Sequence, residues 1–273
     1  MFHTTDTLEN IIDCSNHPFQ ETGYAFKLND TLNRHGVVVL PSFLRKQALE
    51  KLIDEATQNK SKAYYTKSTH NVYLTPKDKT LPHSHIFNKQ VQSSKGCIAT
   101  DQIPTSSLLK SLYYDSEFQD FLAKVVGVSR LFPYADPLSE INIHYYNQGQ
   151  ELGWHFDNSS FAITLLLQAP ESGGNFEYVP SLRDSGIGDN EYEGVSKVLN
   201  GERLVQKLDI RPSSLVIFRG RDCLHRVTKV IGSTNRIIAV FAYNSERGVS
   251  LSEEARLTFY GRIGHEKLPE QKH

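Results

Sequence analysis

The chain has 273 residues and a net charge of −1 at neutral pH, and β-barrels of this length often form one domain. It lacks a basic tract, which argues against nucleic acid as a required partner, because phosphate binding needs clustered lysine and arginine. Neither a signal peptide nor a run of about 18 apolar residues is present, which argues against a membrane. Cys14, Cys97 and Cys223 are odd in number and far apart, which argues against a disulfide framework. We therefore expect a cytoplasmic protein that acts on a small molecule.

The N-terminal part is predicted to be helical, with one buried strand. Residues 1–35 mix polar residues with scattered aromatic ones and have no clear period. The run 36–40 predicts a short strand, and Ser42 is the predicted N-cap of a helix over 44–56. Apolar residues at helical spacing give this helix one stripe, which we expect to pack on a sheet.

The stretch 64–101 loses periodicity and collects tyrosine, histidine, asparagine and proline. Long irregular loops tend to be functional lids, so we expect an ordered lid over a pocket mouth. For His83 and His85, no third ligand follows at a suitable spacing, and we expect solvated loop histidines rather than a metal site. The segment 106–126 predicts two helices, the second capped by Ser116.

The second half of the chain is rich in strands. Short apolar and alternating runs, separated by turn residues, predict an antiparallel sandwich. A short helix is predicted within 183–200, and 267–273 is predicted to be a frayed tail. The predicted strands are 139–146, 161–168, 174–179, 203–209, 214–218, 224–230 and 236–243.

Three residues in this half form a candidate metal site. His155 and Asp157 are two apart, so in an extended strand both side chains point to the same side. An H-x-D pair alone is weak evidence, but this one lies between two strand-like runs, and His225 can supply a third ligand from another. Two histidines and one carboxylate on one face of a metal are the ligands of non-haem Fe(II) oxygenases.

Arg236 is the candidate for binding an organic acid beside this metal. It follows the turn-forming residues 232–235 and opens the last predicted strand. If a hairpin is centred near Gly232 and Ser233, Arg236 faces the same side as His225. A fixed guanidinium near a three-ligand metal suits a dicarboxylate that chelates the metal at its other end.

Together these four residues resemble the motif of the Fe(II)/2-oxoglutarate-dependent dioxygenase superfamily. The resemblance covers about 140–246 and implies a mainly β fold with flanking helices (α+β), built on a double-stranded β-helix, the jelly-roll or cupin-like core. It also implies Fe(II) held by His155, Asp157 and His225, with 2-oxoglutarate and dioxygen as cosubstrates. Arg236 and Tyr145 are the implied cosubstrate-binding residues, with Tyr145 equally open to core packing, and Thr164 and Asn142 are weaker candidates.

Within the superfamily the chain most resembles small bacterial enzymes that hydroxylate or chlorinate free amino acids, notably lysine. The blocks 154–157, 173–178 and 224–227 carry this likeness. Halogenating relatives have a small residue without a carboxylate where this chain has Asp157, so the resemblance implies hydroxylation. The candidate substrate residues are Glu140, Trp154, Asn158 and Arg221. Arg221 could instead pair with Asp222 across a loop.

The predicted activity is therefore hydroxylation of an unactivated C–H bond of a small molecule, a free L-amino acid, with basic amino acids among the candidates. A peptidyl or protein hydroxylase, and a metal-binding jelly roll without catalysis, are the alternatives. We expect one domain over 1–273, with a helical part and lid (1–135), a jelly-roll core (136–248) and a C-terminal tail (249–273).

Overall fold

In the computed structural model, which describes residues 7–264, two antiparallel sheets form the core, and most of the helices cover the larger one. The helices are α1 (Leu8–Ile11), α2 (Thr22–His35), α3 (Lys46–Asn59), α4 (Leu108–Tyr114), α5 (Ser116–Val126), α6 (Tyr192–Leu199) and α7 (Glu253–Tyr260). The strands are β1 (Val37–Leu40), β2 (Tyr64–His70), β3 (Val91–Ile98), β4 (Phe132–Pro133), β5 (Ile141–Tyr146), β6 (Leu152–His155), β7 (Ala162–Gln168), β8 (Ser172–Gly173), β9 (Phe176–Val179), β10 (Gln206–Lys207), β11 (Leu215–Phe218), β12 (Leu224–Val227), β13 (Val230–Ile231), β14 (Arg236–Phe241) and β15 (Tyr243–Asn244).

The larger sheet has seven strands in the order β1-β11-β7-β14-β5-β3-β2, and the smaller has four in the order β10-β9-β12-β6. Two short pairs, β13-β8 and β15-β4, extend the ends. This arrangement confirms the predicted mixed fold with a jelly-roll core. Helices that pack on one face of an antiparallel sheet are a common layer arrangement, and helix α2 with the strands follows it.

The seven-stranded sheet has two chemically different faces. On β5, Ile141, Ile143 and Tyr145 lie in the main apolar core with the helices. Side chains alternate along a strand, so Asn142 and His144 lie on the opposite face, toward the four-stranded sheet. The same parity holds on β14, because its odd-numbered residues pack in the apolar core. The interior between the sheets therefore combines polar and charged groups with an apolar cluster that includes Leu166 and Ile238.

Helix α3 packs its predicted stripe against this sheet, but it begins later than predicted. Ala48, Leu52 and Ala56 are buried in the main core. Ser42 is not the N-cap, because the helix begins at Lys46 and Ser42 has a left-handed φ of 53°. A bridge between Ile12 and Leu44 keeps the chain extended up to that point.

The helices α4 and α5 occupy the predicted segment with a different cap. Asp115, not Ser116, caps α5, and its side chain accepts from the Phe118 N–H at 2.9 Å. Gly127 ends the helix in the left-handed region, with φ 81°, which a residue without Cβ adopts at little cost.

Most of the stretch predicted to be a lid is a hairpin. Strands β2 and β3 pair over their whole length at the edge of the seven-stranded sheet. β2 is mostly exposed and β3 faces the polar interior, so neither has the apolar alternation by which strands are recognised. Only the connection 71–90 remains irregular, and it lies against β6: the Phe156 N–H donates to Val72 O at 2.8 Å.

The predicted hairpin between the strands of His225 and Arg236 is wrong. β12 belongs to the four-stranded sheet and β14 to the seven-stranded sheet. Between them Val230–Ile231 pairs with β8, so the chain crosses from one sheet to the other. Arg236 reaches the interior from the wall opposite His225.

The C-terminal part contains a helix where a tail was expected. Helix α7 contacts β2 and β3, and its residue Tyr260 is buried. The predicted frayed tail at 267–273 lies outside the described residues. In residues 7–264, no helix combines the length and apolar character needed to cross a membrane.

Candidate metal centre and active site

The two histidines of the candidate metal site lie side by side in the smaller sheet. His155 ends β6 and is paired directly with His225 on β12. Asp157 follows the end of β6, where its backbone N–H donates to Gly220 O at 2.9 Å. One Asp157 oxygen, Oδ1, lies 3.5 Å from His155 Nε2 and 3.6 Å from His225 Nε2. The three potential ligand atoms all lie within 4.8 Å of one another, as the sequence motif predicts.

Backbone carbonyls orient both imidazole rings. His155 Nδ1 lies 2.8 Å from Gly153 O, and His225 Nδ1 lies 2.9 Å from Cys223 O. A carbonyl oxygen can only accept, so each Nδ1 carries a hydrogen, and Nε2 is the ring nitrogen that each histidine directs toward Asp157. Burial, followed by the charge of His225, lowers the pKa of His155 to about 4. The His155 ring is therefore neutral and able to bind a metal at pH 7.

Asp157 is held as a carboxylate. Burial alone would raise its pKa, but the neighbouring His225 and His155 outweigh burial and hold the pKa well below its usual range. Two neutral imidazole nitrogens and one carboxylate oxygen are the donors that Fe(II) takes in non-haem oxygenases. The residues of this site therefore fit an Fe(II) ion.

Gly220 gives the Asp157 side chain its space. A Cβ atom on Gly220 would overlap Asp157 Oδ2. We expect Gly220→Ala to displace the carboxylate and weaken iron binding at least tenfold, measured by anaerobic titration with Fe(II). Gly23→Ala is the matched control, because nothing lies within 4 Å of a Cβ placed there. Unchanged iron affinity in Gly220→Ala would mean that Asp157 does not bind the metal.

Aromatic rings and a further histidine pack around the triad. The ring of Phe218 lies 4.8 Å from that of His225, and the ring of Phe176 lies 5.5 Å from it. His70 meets the ring of His155 edge-on at 6.2 Å, and its Nε2 lies 2.6 Å from Ser93 Oγ. These neighbours fix the ligand rings in place, and no sequence motif identified them.

The opposite wall of the interior is basic. Arg236 is only 4% exposed, and its guanidinium carbon lies 5.5 Å from the centre of the Tyr146 ring. Burial lowers the pKa of Arg236, and in the described part of the chain no carboxylate pairs with it. Burial, then the charges of Lys95 and Arg236, hold the pKa of His144 well below its usual range, so that ring is neutral at pH 7.

Two predicted roles are wrong because the side chains lie on the other face of their strands. Tyr145 lies under the helices, where its hydroxyl donates to Ala56 O at 2.7 Å. Tyr146, its neighbour, is the tyrosine beside Arg236. Trp154 alternates with His155 and packs in a separate apolar cluster, with Arg226 over its ring at 4.7 Å. Neither Tyr145 nor Trp154 faces the triad.

Of three further candidates, two face the interior and one does not. Asn142 and Thr164 lie on the interior face; Asn142 Oδ1 accepts from the Tyr260 hydroxyl at 2.9 Å. Glu140 accepts a hydrogen bond from Tyr114 and lines a cavity of about 400 Å³ whose walls include no triad residue and no residue of the basic wall formed by Lys95, His144 and Arg236. That position does not support a contact with a substrate at the metal.

Two candidates meet at the rim of the site. The exposed side chain of Arg221 donates to Asn158 O at 2.8 Å. Asp222, the alternative partner of Arg221, instead lies 3.9 Å from Arg183 Nε. Arg221 thus ties the loop that follows Asp157 to the loop that precedes His225.

Comparisons with known proteins agree with this geometry. The sequence model of the family described as Halogenase D matches residues 20–258. No curated protein sequence matches the chain.

Among solved structures, the chain is similar to an oxidoreductase of the 2OG-Fe(II) oxygenase family from Burkholderia pseudomallei, with 16% identity, 83% of this chain and 93% of that chain covered, and a TM-score of 0.52. It is similar to a prolyl hydroxylase from Trichoplax adhaerens, solved with a peptide fragment of hypoxia inducible factor, with 12% identity, 81% and 89% covered, and a TM-score of 0.52. The α-ketoglutarate-dependent epimerase SnoN from nogalamycin biosynthesis gives 12% identity, 82% and 84% covered, and a TM-score of 0.54.

At these identities the structural likeness establishes the fold. The chain belongs to the halogenase D family, it has the fold of the 2OG-Fe(II) oxygenases to which it is similar, and its triad fits Fe(II), in agreement with the predicted superfamily and cofactors.

Proposed function

We propose that the protein hydroxylates an unactivated C–H bond of a small molecule, a free amino acid, using Fe(II) and 2-oxoglutarate. One observation carries the proposal: the His155, Asp157 and His225 cluster on one sheet faces, on the other, the buried cation of Arg236, which forms no ion pair with any carboxylate of residues 7–264. A metal bound by three protein ligands keeps positions open for an organic acid and dioxygen. The basic wall supplies a binding group for that acid.

In this proposal, His155 Nε2, His225 Nε2 and Asp157 Oδ1 hold the iron. When bound, iron and 2-oxoglutarate supply the oxidising power for C–H cleavage. Arg236 binds the carboxylate of 2-oxoglutarate that is distant from the metal, through paired N–H donors. A buried cation without a partner is costly, so a carboxylate that pairs with it recovers much of that cost.

The connection 71–90 packs against the back of the strand that carries His155. Its residue Tyr73 stacks on Phe156 with ring centres 5.7 Å apart, and the Tyr73 hydroxyl donates to Asn190 O at 2.9 Å. The guanidinium of Arg183 covers the Phe156 ring at 4.1 Å. These contacts belong to the apolar cluster that contains Trp154, on the face of β6 opposite His155, so they support the strand of a metal ligand from behind and do not support the predicted lid over the pocket mouth.

Asp157 favours hydroxylation over chlorination, although the family is described as a halogenase. A carboxylate bound to iron occupies a coordination position and offsets one positive charge, so chloride has neither the space nor the electrostatic incentive to bind. We expect wild-type protein to give only oxygenated product in concentrated chloride, as read by mass spectrometry. A chlorinated product would contradict Asp157 as a ligand. In Asp157→Gly we expect poor iron retention and mostly uncoupled 2-oxoglutarate turnover, whereas exposed Asp209→Gly should behave as wild type.

Succinate release separates the proposed substrate class from its alternative. We expect succinate to form faster with at least one free amino acid than with peptides that contain the same residue. A peptide preference would favour a peptidyl hydroxylase, the activity named for the Trichoplax relative. The absence of any 2-oxoglutarate turnover, with iron bound, would favour a non-catalytic metal-binding jelly roll.

We also infer one catalytic domain over 1–273 and a cytoplasmic location. A single apolar cluster runs from Ile11 to Tyr243 in sequence, which supports one folding unit with a helical part and a jelly-roll core. Cys14, Cys97 and Cys223 are free thiols, which is usual for proteins of a reducing compartment.

A further inference from the structure

Lys95 is a second cation on the basic wall, and the proposed reaction gives it no role. It lies on β3 with the same parity as Cys97, which pairs with His144. Its Nζ lies 3.3 Å from His144 Nδ1 and 3.4 Å from His144 Nε2, and 5.2 Å from the centre of the Phe259 ring. Within residues 7–264, no carboxylate forms an ion pair with this ammonium group.

These contacts leave the ammonium group incompletely satisfied. It has three N–H donors, whereas a neutral imidazole accepts at most one hydrogen bond and an aromatic ring offers only a weak cation–π contact. Asp157 is the carboxylate whose charge acts on Lys95, but it belongs to the metal site. Burial accordingly lowers the pKa of Lys95. An anion from outside the chain would therefore stabilise this ammonium group.

A small cavity lies directly beside Lys95. Its volume is about 150 Å³, and since each water takes roughly 30 Å³, it has room for a small organic molecule only. Lys95, Asn142 and Ser139 offer polar atoms on its wall, while Leu251 and Phe259 supply apolar surface. This combination suits a compact ligand with one charged end.

The charges of the site indicate that the charged end of this ligand is negative. This step rests on the proposed function. Arg236 and Asp157 offset each other, and the two negative charges of 2-oxoglutarate offset a divalent iron. Among the described residues, the ammonium of Lys95 is then left on this wall without an ion-pair partner.

We propose that Lys95 binds the carboxylate of the primary substrate, which is therefore a small carboxylic acid, the class to which free amino acids belong. The carboxylate takes the ammonium donors that His144 leaves unused, and the apolar side of the cavity receives the carbon chain. Lys95 is then a determinant of substrate specificity, distinct from the 2-oxoglutarate contact of Arg236.

The test measures binding without turnover. Protein with Fe(II) and saturating 2-oxoglutarate is kept anaerobic, and its thermal unfolding midpoint is titrated with each common amino acid and with the matching amino-acid amide. Lys95→Met removes the charge, Lys95→Arg keeps it, and Lys67→Met is the matched control, because Lys67 is exposed on the neighbouring strand. Lys95→Gln serves as a second neutral variant if the methionine variant does not fold. The affinity of each variant for 2-oxoglutarate is measured separately.

We expect at least one acid, and not its amide, to stabilise the wild type. Its affinity should fall at least about tenfold in Lys95→Met, the scale of one lost charge-assisted hydrogen bond, and should be retained in Lys95→Arg and Lys67→Met. Equal binding of acid and amide, undiminished binding by Lys95→Met, or no binding of any acid would overturn the inference. An equal loss of 2-oxoglutarate affinity in Lys95→Met would also overturn it, because it would assign Lys95 to the cosubstrate. That last result leaves the proposed oxygenase intact, whereas a wild type that binds no 2-oxoglutarate contradicts the proposed function itself.

Discussion

His225→Ala is expected to abolish turnover and iron binding while the protein still folds. The substitution removes one of three metal ligands, and the remaining His155 and Asp157 cannot hold iron with the same affinity. The lost ring also packs against Phe176 and Phe218, so we expect the free energy of unfolding to fall by about 1–3 kcal/mol, the usual range for a buried substitution. The apolar core under the helices does not include His225 and should stay intact.

Iron content and thermal unfolding of the same preparation separate these two effects. His83→Ala is the matched control, because His83 is exposed and belongs to no metal-binding cluster in the described part of the chain. It should keep full iron occupancy and activity. Full iron occupancy with unchanged affinity in His225→Ala would remove His225 from the triad.

The metal site could be predicted from sequence because its determinants are local. His155 and Asp157 are two residues apart, and the strand-like run around His225 is apolar enough to be recognised as buried. The direct pairing of His155 with His225 could not be predicted, because it depends on which strands become neighbours in the smaller sheet. Gly220 likewise becomes significant only when its loop is seen against Asp157.

Errors of a single residue account for the misplaced aromatic candidates. Tyr145 and Tyr146 are adjacent, and adjacent residues of a strand point to opposite faces, so a shift of one residue exchanges the helix-covered face for the interior. Tyr145 is implied by the family resemblance, which takes no account of strand parity. The parity of Ile141 and Ile143, both apolar and buried, is the sequence feature that favours Tyr146 for the interior.

The hairpin of β2 and β3 could not be predicted from the sequence for a different reason. A strand that lines an active site carries polar residues where a structural strand carries apolar ones, so its hydrophobic period disappears. Ser93 and Lys95 illustrate this: both lie on the interior side of β3, where Ser93 accepts from the Gly153 N–H on the strand of His155 and Lys95 contacts His144. The polar residues that this wall needs for its function remove the hydrophobic period, so hydrophobicity alone does not predict its strands.

The prediction that Arg236 faces the site rests on a strand pairing that the structure does not contain. The predicted hairpin with the strand of His225 does not exist, and Arg236 enters from the seven-stranded sheet instead. Its burial follows from the apolar residues around it on β14, which fix that strand in the centre of the sheet. A candidate binding residue can thus be recognised by its neighbours even where the strand pairing is wrong.

Arg236→Lys is expected to weaken 2-oxoglutarate binding by more than about tenfold and to change the affinity for the primary substrate much less. A lysine ammonium keeps the charge but cannot reproduce the two parallel N–H donors of a guanidinium. The loss of one charge-assisted bond corresponds to roughly 1.5–3 kcal/mol. Anaerobic calorimetric titration with 2-oxoglutarate measures this directly.

Arg226→Lys is the matched control for this substitution. Arg226 lies on β12 but points away from the interior. On the outer face it pairs with Glu177 at 2.7 Å and covers the Trp154 ring. The same chemical change at this position should leave the affinity for 2-oxoglutarate within about twofold of wild type, because a partly exposed ion pair contributes little. If Arg236→Lys bound 2-oxoglutarate as tightly as Arg226→Lys does, the cation opposite the triad would have another partner, and the cosubstrate would have to be held elsewhere on the basic wall.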